Sequence, residues 1–351
     1  MPTKEAKTRT ARSSVTTNSS YGELPWHASQ RQQWQQQRRM NKIPHAVLLT
    51  GPVGLGKRQF AHYMANTLVC TAMVEQTPCG ECRACRQIHT ASHPDVQEIQ
   101  PEENYIKVDA IRALIHTTNL TTETWQIFII TPAETMHPSA ANALLKTLEE
   151  PAPNTLLILS SAEPQRLPAT IRSRCQIMHF NPVETTQAMH WLEQQQPGEN
   201  WQPLLALAAY APLLAIQAMA SGRLDKIHQL VEQLGKMRSG QQTPMSVVKV
   251  LAERPLPELI NDMIYLCHDM VHLAVCNDDH DPAQQLKSLY VPTEKKQLIT
   301  LMQGVSLNQL FGLLDQLNTI KKQQNNNLNP VMAVEKIIVG WTMLKESMSE
   351  S

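Results

Sequence analysis

Short apolar runs alternate with helical-period stretches through the first half of the chain, and only the helical period continues through the second. A helix is predicted over 26–40, with Trp26, Trp34 and Met40 as sparse apolar anchors among glutamines and arginines. The run "HAVLLT" (45–50) is strand-length and meets a glycine-rich turn. The following "KRQFAHYMANTLVC" sets Phe60, Tyr63, Met64, Thr67 and Leu68 on one helical face. Further strands are predicted at 127–131 and 156–160, separated by the helix "SAANALLKTLEE". That helix offers Ala141, Leu144, Leu145 and Leu148 to a core and turns Lys146, Glu149 and Glu150 outward. Strands alternating with helices imply a mostly parallel sheet covered on both faces.

The strand signal ends around Asn181–Pro182. Helical stretches are predicted at 185–195, 203–220, 224–237, 257–275, 307–324 and 330–344, punctuated by prolines and glycines. The expected class is therefore α/β plus all-α: a parallel-sheet domain, a small helical domain and a larger helical bundle.

Composition narrows the picture. A chain of 351 residues with 42% hydrophobic residues is long enough for two or three domains with ordinary cores. Its 31 basic and 31 acidic residues balance, so it lacks the basic surplus of a protein that binds nucleic acid unaided. Any role on DNA is expected to be shared with partners. The apolar runs are far too short to span a membrane, no signal-sequence pattern opens the chain, and the cytoplasm is the expected location. Residues 1–20 are rich in Ser, Thr, Arg and Lys and read as a disordered extension.

Two segments carry candidate chemistry. "GPVGLGKRQF" (51–60) satisfies most of a phosphate-binding loop, with Gly51, Gly54, Gly56 and Lys57, but Arg58 stands where a hydroxyl should hold Mg²⁺. The loop is either part of an unusual nucleotide site or simply a strand-to-helix turn. Cys70, Cys79, Cys82 and Cys85 lie within sixteen residues, spaced C-x8-C-x2-C-x2-C, with Pro78 and Gly80 turning the chain between them. Two x2 pairs suit a closed tetrahedral Zn²⁺ site; the bland readings are buried thiols or a redox pair, which needs only two cysteines. Cys175, Cys267 and Cys276 are scattered, and His89 and His93 are read as ordinary loop residues.

With "NALLKTLEEP" (142–151) and "LPATIRSRC" (167–175), these motifs together resemble the bacterial DNA polymerase III clamp-loader family. The resemblance is strong over 21–182 and weaker over 183–351, where "NNNLNPVMAVEKIIVGW" is similar. It implies an AAA+ domain over 21–182 with a zinc module at 70–85, a helical lid over 183–222, and a C-terminal collar over 223–351. It also implies partners: gamma/tau ATPase subunits and a delta subunit in a five-subunit ring that loads a sliding clamp on primed DNA.

Several ATP-site positions depart from the family's hydrolysing members. After "QIFII", Thr131 and Pro132 stand where an acidic pair is expected, with Glu134 later in the turn, and Leu213 stands where the lid carries an arginine. Losing four parts of a machinery that works by positioning and charge stabilisation implies no intrinsic ATPase. ATP binding at Gly51, Gly54, Gly56 and Lys57 is then doubtful and the loop vestigial. Arg174 is expected, from the resemblance, to act as an arginine finger on a neighbouring subunit's ATP. The bland reading is a local salt bridge, with Ser173 capping and Cys175 packing, and Arg172 is the nearby structural candidate. The rival functions are an active motor subunit using Glu134 in a shifted acidic role, and a standalone zinc-containing nucleic-acid-binding protein.

Overall fold

The computed structural model describes residues 24–102, 104–118, 125–275, 295–323 and 329–344. The extension expected at 1–20, Cys276 and most of the asparagine run before Pro330 lie outside the described residues. The chain divides into two compact units, residues 24–50 with Gly56–His179, and Gly51–Leu55 with 180–344.

In the first unit, α1 (Ala28–Arg39) precedes β1 (Ala46–Thr50), α2 (Lys57–Val69), α3 (Arg83–His89), β2 (Val96–Ile99) and α4 (Val108–Thr118). There follow β3 (Gln126–Ile130), α5 (Pro138–Glu149), β4 (Thr155–Ser161), the single turn α6 (Ala169–Arg172) and β5 (Gln176–His179). All strand pairings are parallel, in the order β2-β3-β4-β1-β5. Every residue of β1, β3 and β4 is buried, as expected of strands covered on both faces. Phe128, Leu157 and Leu159 from the sheet pack with Ala141, Leu144 and Leu148 of α5 in one core. Leu145 is only partly buried, and Thr147 is buried. Trp34, fully buried, docks α1 on α2 by donating from Nε1–H to Thr67 Oγ1 at 2.8 Å.

α3, β2, α4 and β5 have no counterpart in the sequence reading. His89, expected in a loop, is instead the exposed last residue of α3.

The second unit is helical: α7 (Thr185–Gln195), α8 (Trp201–Leu207), α9 (Pro212–Ala220), α10 (Arg223–Arg238), α11 (Pro244–Leu251), α12 (Leu256–Val275), α13 (Lys295–Met302), α14 (Leu307–Gln323) and α15 (Pro330–Thr342). The helical stretch expected over 203–220 is broken into α8 and α9, bent by 108°. Ala209 and Tyr210 take left-handed φ of 48° and 60°, and the Tyr210 N–H closes α8 on Leu205 O at 2.8 Å. Pro212 at the first turn of α9 explains the break, because the residue before a proline disfavours helical geometry. Inside the α10–α15 bundle, Asp262 is fully buried between two guanidiniums, Arg223 at 2.7 Å and Arg254. Among the described residues no single helix is long and apolar enough to cross a membrane.

Candidate functional site

The glycine loop leaves the C-terminal end of β1, where open parallel sheets place their ligands. Its glycines are demanded by the backbone and by close packing. Gly56, the N-cap of α2, has φ 86°, and a Cβ there would fall 2.2 Å from Leu24 Cδ1. Gly54 has φ 80°; a Cβ there would fall 2.5 Å from Leu214 Cγ, and its carbonyl accepts the Leu213 N–H at 3.4 Å. Leu213, at the position expected for an arginine, therefore meets the loop through its backbone. Lys57 opens α2 and is 7% exposed. Burial pushes its ammonium down to about 8, against the favourable field of Glu134.

Arg58 is turned to a different task from the hydroxyl it replaces. Its guanidinium grips Glu98 of β2 with two hydrogen bonds, Nε to Oε1 at 2.6 Å and a terminal nitrogen to Oε2 at 2.9 Å. His62, one helical turn further along α2, meets Glu98 Oε2 at 3.1 Å. Burial alone would raise the Glu98 carboxyl, but the hydrogen bonds from His62 and Arg58 outweigh it and bring the value to about 2. The i, i+4 spacing of Arg58 and His62 was visible in the sequence; nothing there marked Glu98 as their partner.

At the end of β3, Thr131 donates its backbone N–H to Ile99 O at 3.0 Å and Pro132 offers no side-chain ligand. Glu134, in the short 3-10 turn Ala133–Thr135, accepts the Ala162 N–H through Oε1 at 3.0 Å. Its carboxylate is thus anchored to the end of β4.

The four cysteines converge. All four Sγ atoms lie within 4.8 Å of one another, with Cys70 and Cys79 at 3.6 Å and Cys70 and Cys82 at 4.0 Å. Four sulfurs about 2.3 Å from a tetrahedral ion stand about 3.8 Å apart, so the set is the right size for a metal. Backbone N–H groups point at the sulfurs: Cys79 to Cys70 at 3.4 Å, Cys82 to Cys79 at 3.3 Å, and Cys85 to Cys82 at 3.5 Å. Such donors stabilise thiolate charge. Their origin is local, since Cys82 caps α3 and Gly80 takes φ 79° in the turn before it. The cluster can hold a metal ion.

Arg174 lies just beyond α6, half-buried at 34% exposure. It pairs with Glu149 Oε1 at 2.6 Å and donates to Thr170 O at 3.0 Å. Ser173 is the C-cap of α6, its hydroxyl donating to Thr170 O at 3.2 Å, and Cys175 is buried. Arg172 has its Nε buried without a hydrogen-bond partner.

A family model described as "DNA polymerase III, delta subunit" matches residues 26–184. A Pseudomonas aeruginosa protein named DNA polymerase III subunit delta′ is 32% identical over 91% of this chain and 97% of its own length. Its Bacillus subtilis namesake is 30% identical over 87% of this chain and 92% of its own. The Escherichia coli DNA polymerase III subunit tau is 33% identical over 61% of this chain but only 35% of its own length. A solved gamma subunit-related protein of Thermotoga maritima superposes with a TM-score of 0.47 at 20% identity, covering 89% of this chain and 99% of that one. With both delta′ relatives matched over more than nine-tenths of their length at 30% identity or better, the chain belongs to the DNA polymerase III subunit delta′ family.

Proposed function

We propose that this chain is a non-hydrolysing delta′ subunit of a DNA polymerase III clamp loader, working in the cytoplasm. In this reading it joins gamma/tau ATPase subunits and a delta subunit in a five-membered AAA+ ring. The ring opens a sliding clamp and closes it on primed DNA. Residues 183–222 act as its lid and 223–351 as its collar.

The observation that carries the non-hydrolysing reading is the commitment of Arg58 to Glu98 at 2.6 and 2.9 Å. A hydroxyl at that position holds Mg²⁺; a guanidinium cannot ligate a cation, and this one is held by a carboxylate. Thr131 and Pro132 supply neither a metal acid nor a base for the attacking water, and Glu134 is engaged with Ala162. Gly51, Gly54, Gly56 and Lys57 then serve as a vestigial phosphate loop, a strand-to-helix turn without chemistry.

Arg174 would contribute to the neighbour's site. In the free chain it rests against Glu149, an exposed pair worth about 0–1 kcal/mol, so releasing the guanidinium toward a γ-phosphoryl group in an adjacent subunit costs little. A finger supplied in trans stabilises charge on the transferring phosphoryl by on the order of 10³–10⁵ in rate.

Cys70, Cys79, Cys82 and Cys85 would hold Zn²⁺ as a structural ion. Four sulfurs leave no open position for catalysis. An ATPase assay on the purified chain tests the proposal: turnover no greater than buffer is expected, and Mg²⁺-dependent hydrolysis at ordinary enzyme rates would overturn it.

A further inference from the structure

The last turn of α1 holds two guanidiniums, Arg38 and Arg39, where a cation ordinarily answers the orphan carbonyls of a helix end. Here backbone N–H groups take those carbonyls. Met40 donates to Gln36 O at 3.1 Å, Lys42 to Gln37 O at 2.9 Å and Asn41 to Arg38 O at 3.0 Å. Asn41 takes a left-handed φ of 51° to close the turn. Among the described residues neither arginine forms an ion pair, and Arg38 donates no side-chain hydrogen bond. Arg38 is half-buried, and that burial lowers its guanidinium from the ordinary value. A cation so placed favours an anion beside it.

Both arginines line a cavity of about 310 Å³, together with Ile43, Gln76, Trp125 and the end of α2. The volume falls at the small end of the range for ligand pockets, about 300–1,000 Å³. Ile43 stands before β1 and Trp125 before β3, so the cavity lies at the N-terminal ends of the strands. The glycine loop leaves the opposite end of β1. Among the described residues no carboxylate lines the cavity. Glu75 and Glu81 are both exposed, and neither pairs with Arg38 or Arg39.

Gln76 is held from two sides. Val74 and Thr77 exchange backbone hydrogen bonds at 2.9 and 2.7 Å, so Glu75 and Gln76 form a two-residue turn with φ of 45° and 69°. Turns of this hand favour Asn and Gly, and a Glu-Gln pair there is strained. Arg39 Nε donates to Gln76 Oε1 at 2.8 Å, which leaves the Gln76 amide N–H groups and the other nitrogens of Arg39 as donors.

The lining selects a ligand. Guanidiniums with open donors match the oxygens of a phosphate. An indole beside them gives a planar ring something to stack on, and a side-chain amide suits the edge of a base. A carboxylate ligand would use the arginines and leave Trp125 idle. We propose that the cavity bordered by Arg38, Arg39, Gln76 and Trp125 binds one nucleotide unit, its phosphate on the arginines and its base against Trp125. The unit is a free nucleotide or one residue of single-stranded DNA, which share this chemistry. The site is separate from the glycine loop and requires no chemistry there.

The test is isothermal titration calorimetry of the full-length protein with thymidine monophosphate, a short oligothymidylate and a short oligoglutamate, each across a salt series. Binding of the monophosphate assigns a free nucleotide, and binding of the oligothymidylate alone assigns single-stranded DNA. Arg38→Gln should weaken binding about tenfold and, for the oligothymidylate, reduce the slope of log K against log salt by about 0.7. Trp125→Leu should weaken binding about fivefold or more with the slope unchanged, and Trp125→Phe should recover most of that loss. Lys249→Gln, on α11 and outside the cavity lining, removes the same charge and should match wild type. Far-UV circular dichroism establishes that each variant is folded. Failure of wild type to bind either nucleotide probe would overturn the proposal, as would wild-type affinity in both Arg38→Gln and Trp125→Leu. Oligoglutamate binding as tightly as oligothymidylate would also overturn it, marking a surface for acidic peptides instead.

Discussion

Arg174 and Glu149 form an ion pair of 2.6 Å that joins the end of α6 to the end of α5. Glu149 belongs to "NALLKTLEEP" and Arg174 to "SRC", so two segments distant in sequence are brought together by the fold. The pair is solvent-accessible, with side-chain exposures of 34% and 51%, and screening keeps its contribution small. Glu149→Ala should therefore change unfolding free energy by less than about 1 kcal/mol in urea titrations. A larger loss would mean that Arg174 is a structural anchor, poorly suited to act on another chain.

Glu98 should make stability depend on acid. Its folded value of about 2 lies below the ordinary 4.5, so its contribution is complete above about pH 4.5 and disappears as the pH falls toward 2. The span corresponds to at most about 3 kcal/mol, and less in practice because Arg58 is more than half exposed. Denaturant unfolding between pH 6 and 2 should show Glu98→Gln less stable than wild type at the upper end. The two curves should converge at the lower end. Parallel curves throughout would refute the assignment.

Much of this arrangement was legible in the chain, and the exceptions have physical causes. β1, β3 and β4 were readable because strands buried on both faces must be continuously apolar, and the glycine loop because its backbone admits few residues. β2 was not: "VQEI" is four half-buried residues, and its Glu98 is stabilised only by partners forty and thirty-six positions away. β5, also four residues, alternates exposed and buried positions too briefly to register. The stretch 203–220 looked like one helix because alanines and leucines run across the break that Pro212 imposes. Asp262 gave no sign of burial, since its two arginines come from α10 and the turn before α12. The cysteine cluster was readable from spacing alone, whereas the hydrogen bond from Arg39 to Gln76 inside its loop was not, because α1 meets that loop only in the folded state.

Cys82→Ser should cost the protein its metal. A three-sulfur set with a neutral hydroxyl binds far less tightly, and metal binding is coupled to local folding. Elemental analysis after dialysis should fall from about one Zn²⁺ per chain to a small fraction, with increased proteolysis within 70–90. Retention of full metal would show that Cys82 is not a ligand, although its Sγ lies 4.0 Å from that of Cys70.

In the proposed function, a subunit without its own chemistry lends Arg174 to a neighbour. The measurement that tests it most directly is the clamp- and DNA-stimulated ATPase rate of a complex reconstituted from gamma/tau, delta and this chain, with Arg174→Ala set beside wild type. The variant should assemble normally, because loss of a half-exposed ion pair carries little stability. Its ATPase should nevertheless fall partially, since only the adjacent site loses the charge that stabilises the transferring phosphoryl. An assembled complex hydrolysing ATP at the wild-type rate would contradict the claim and leave Arg174 as the partner of Glu149 alone.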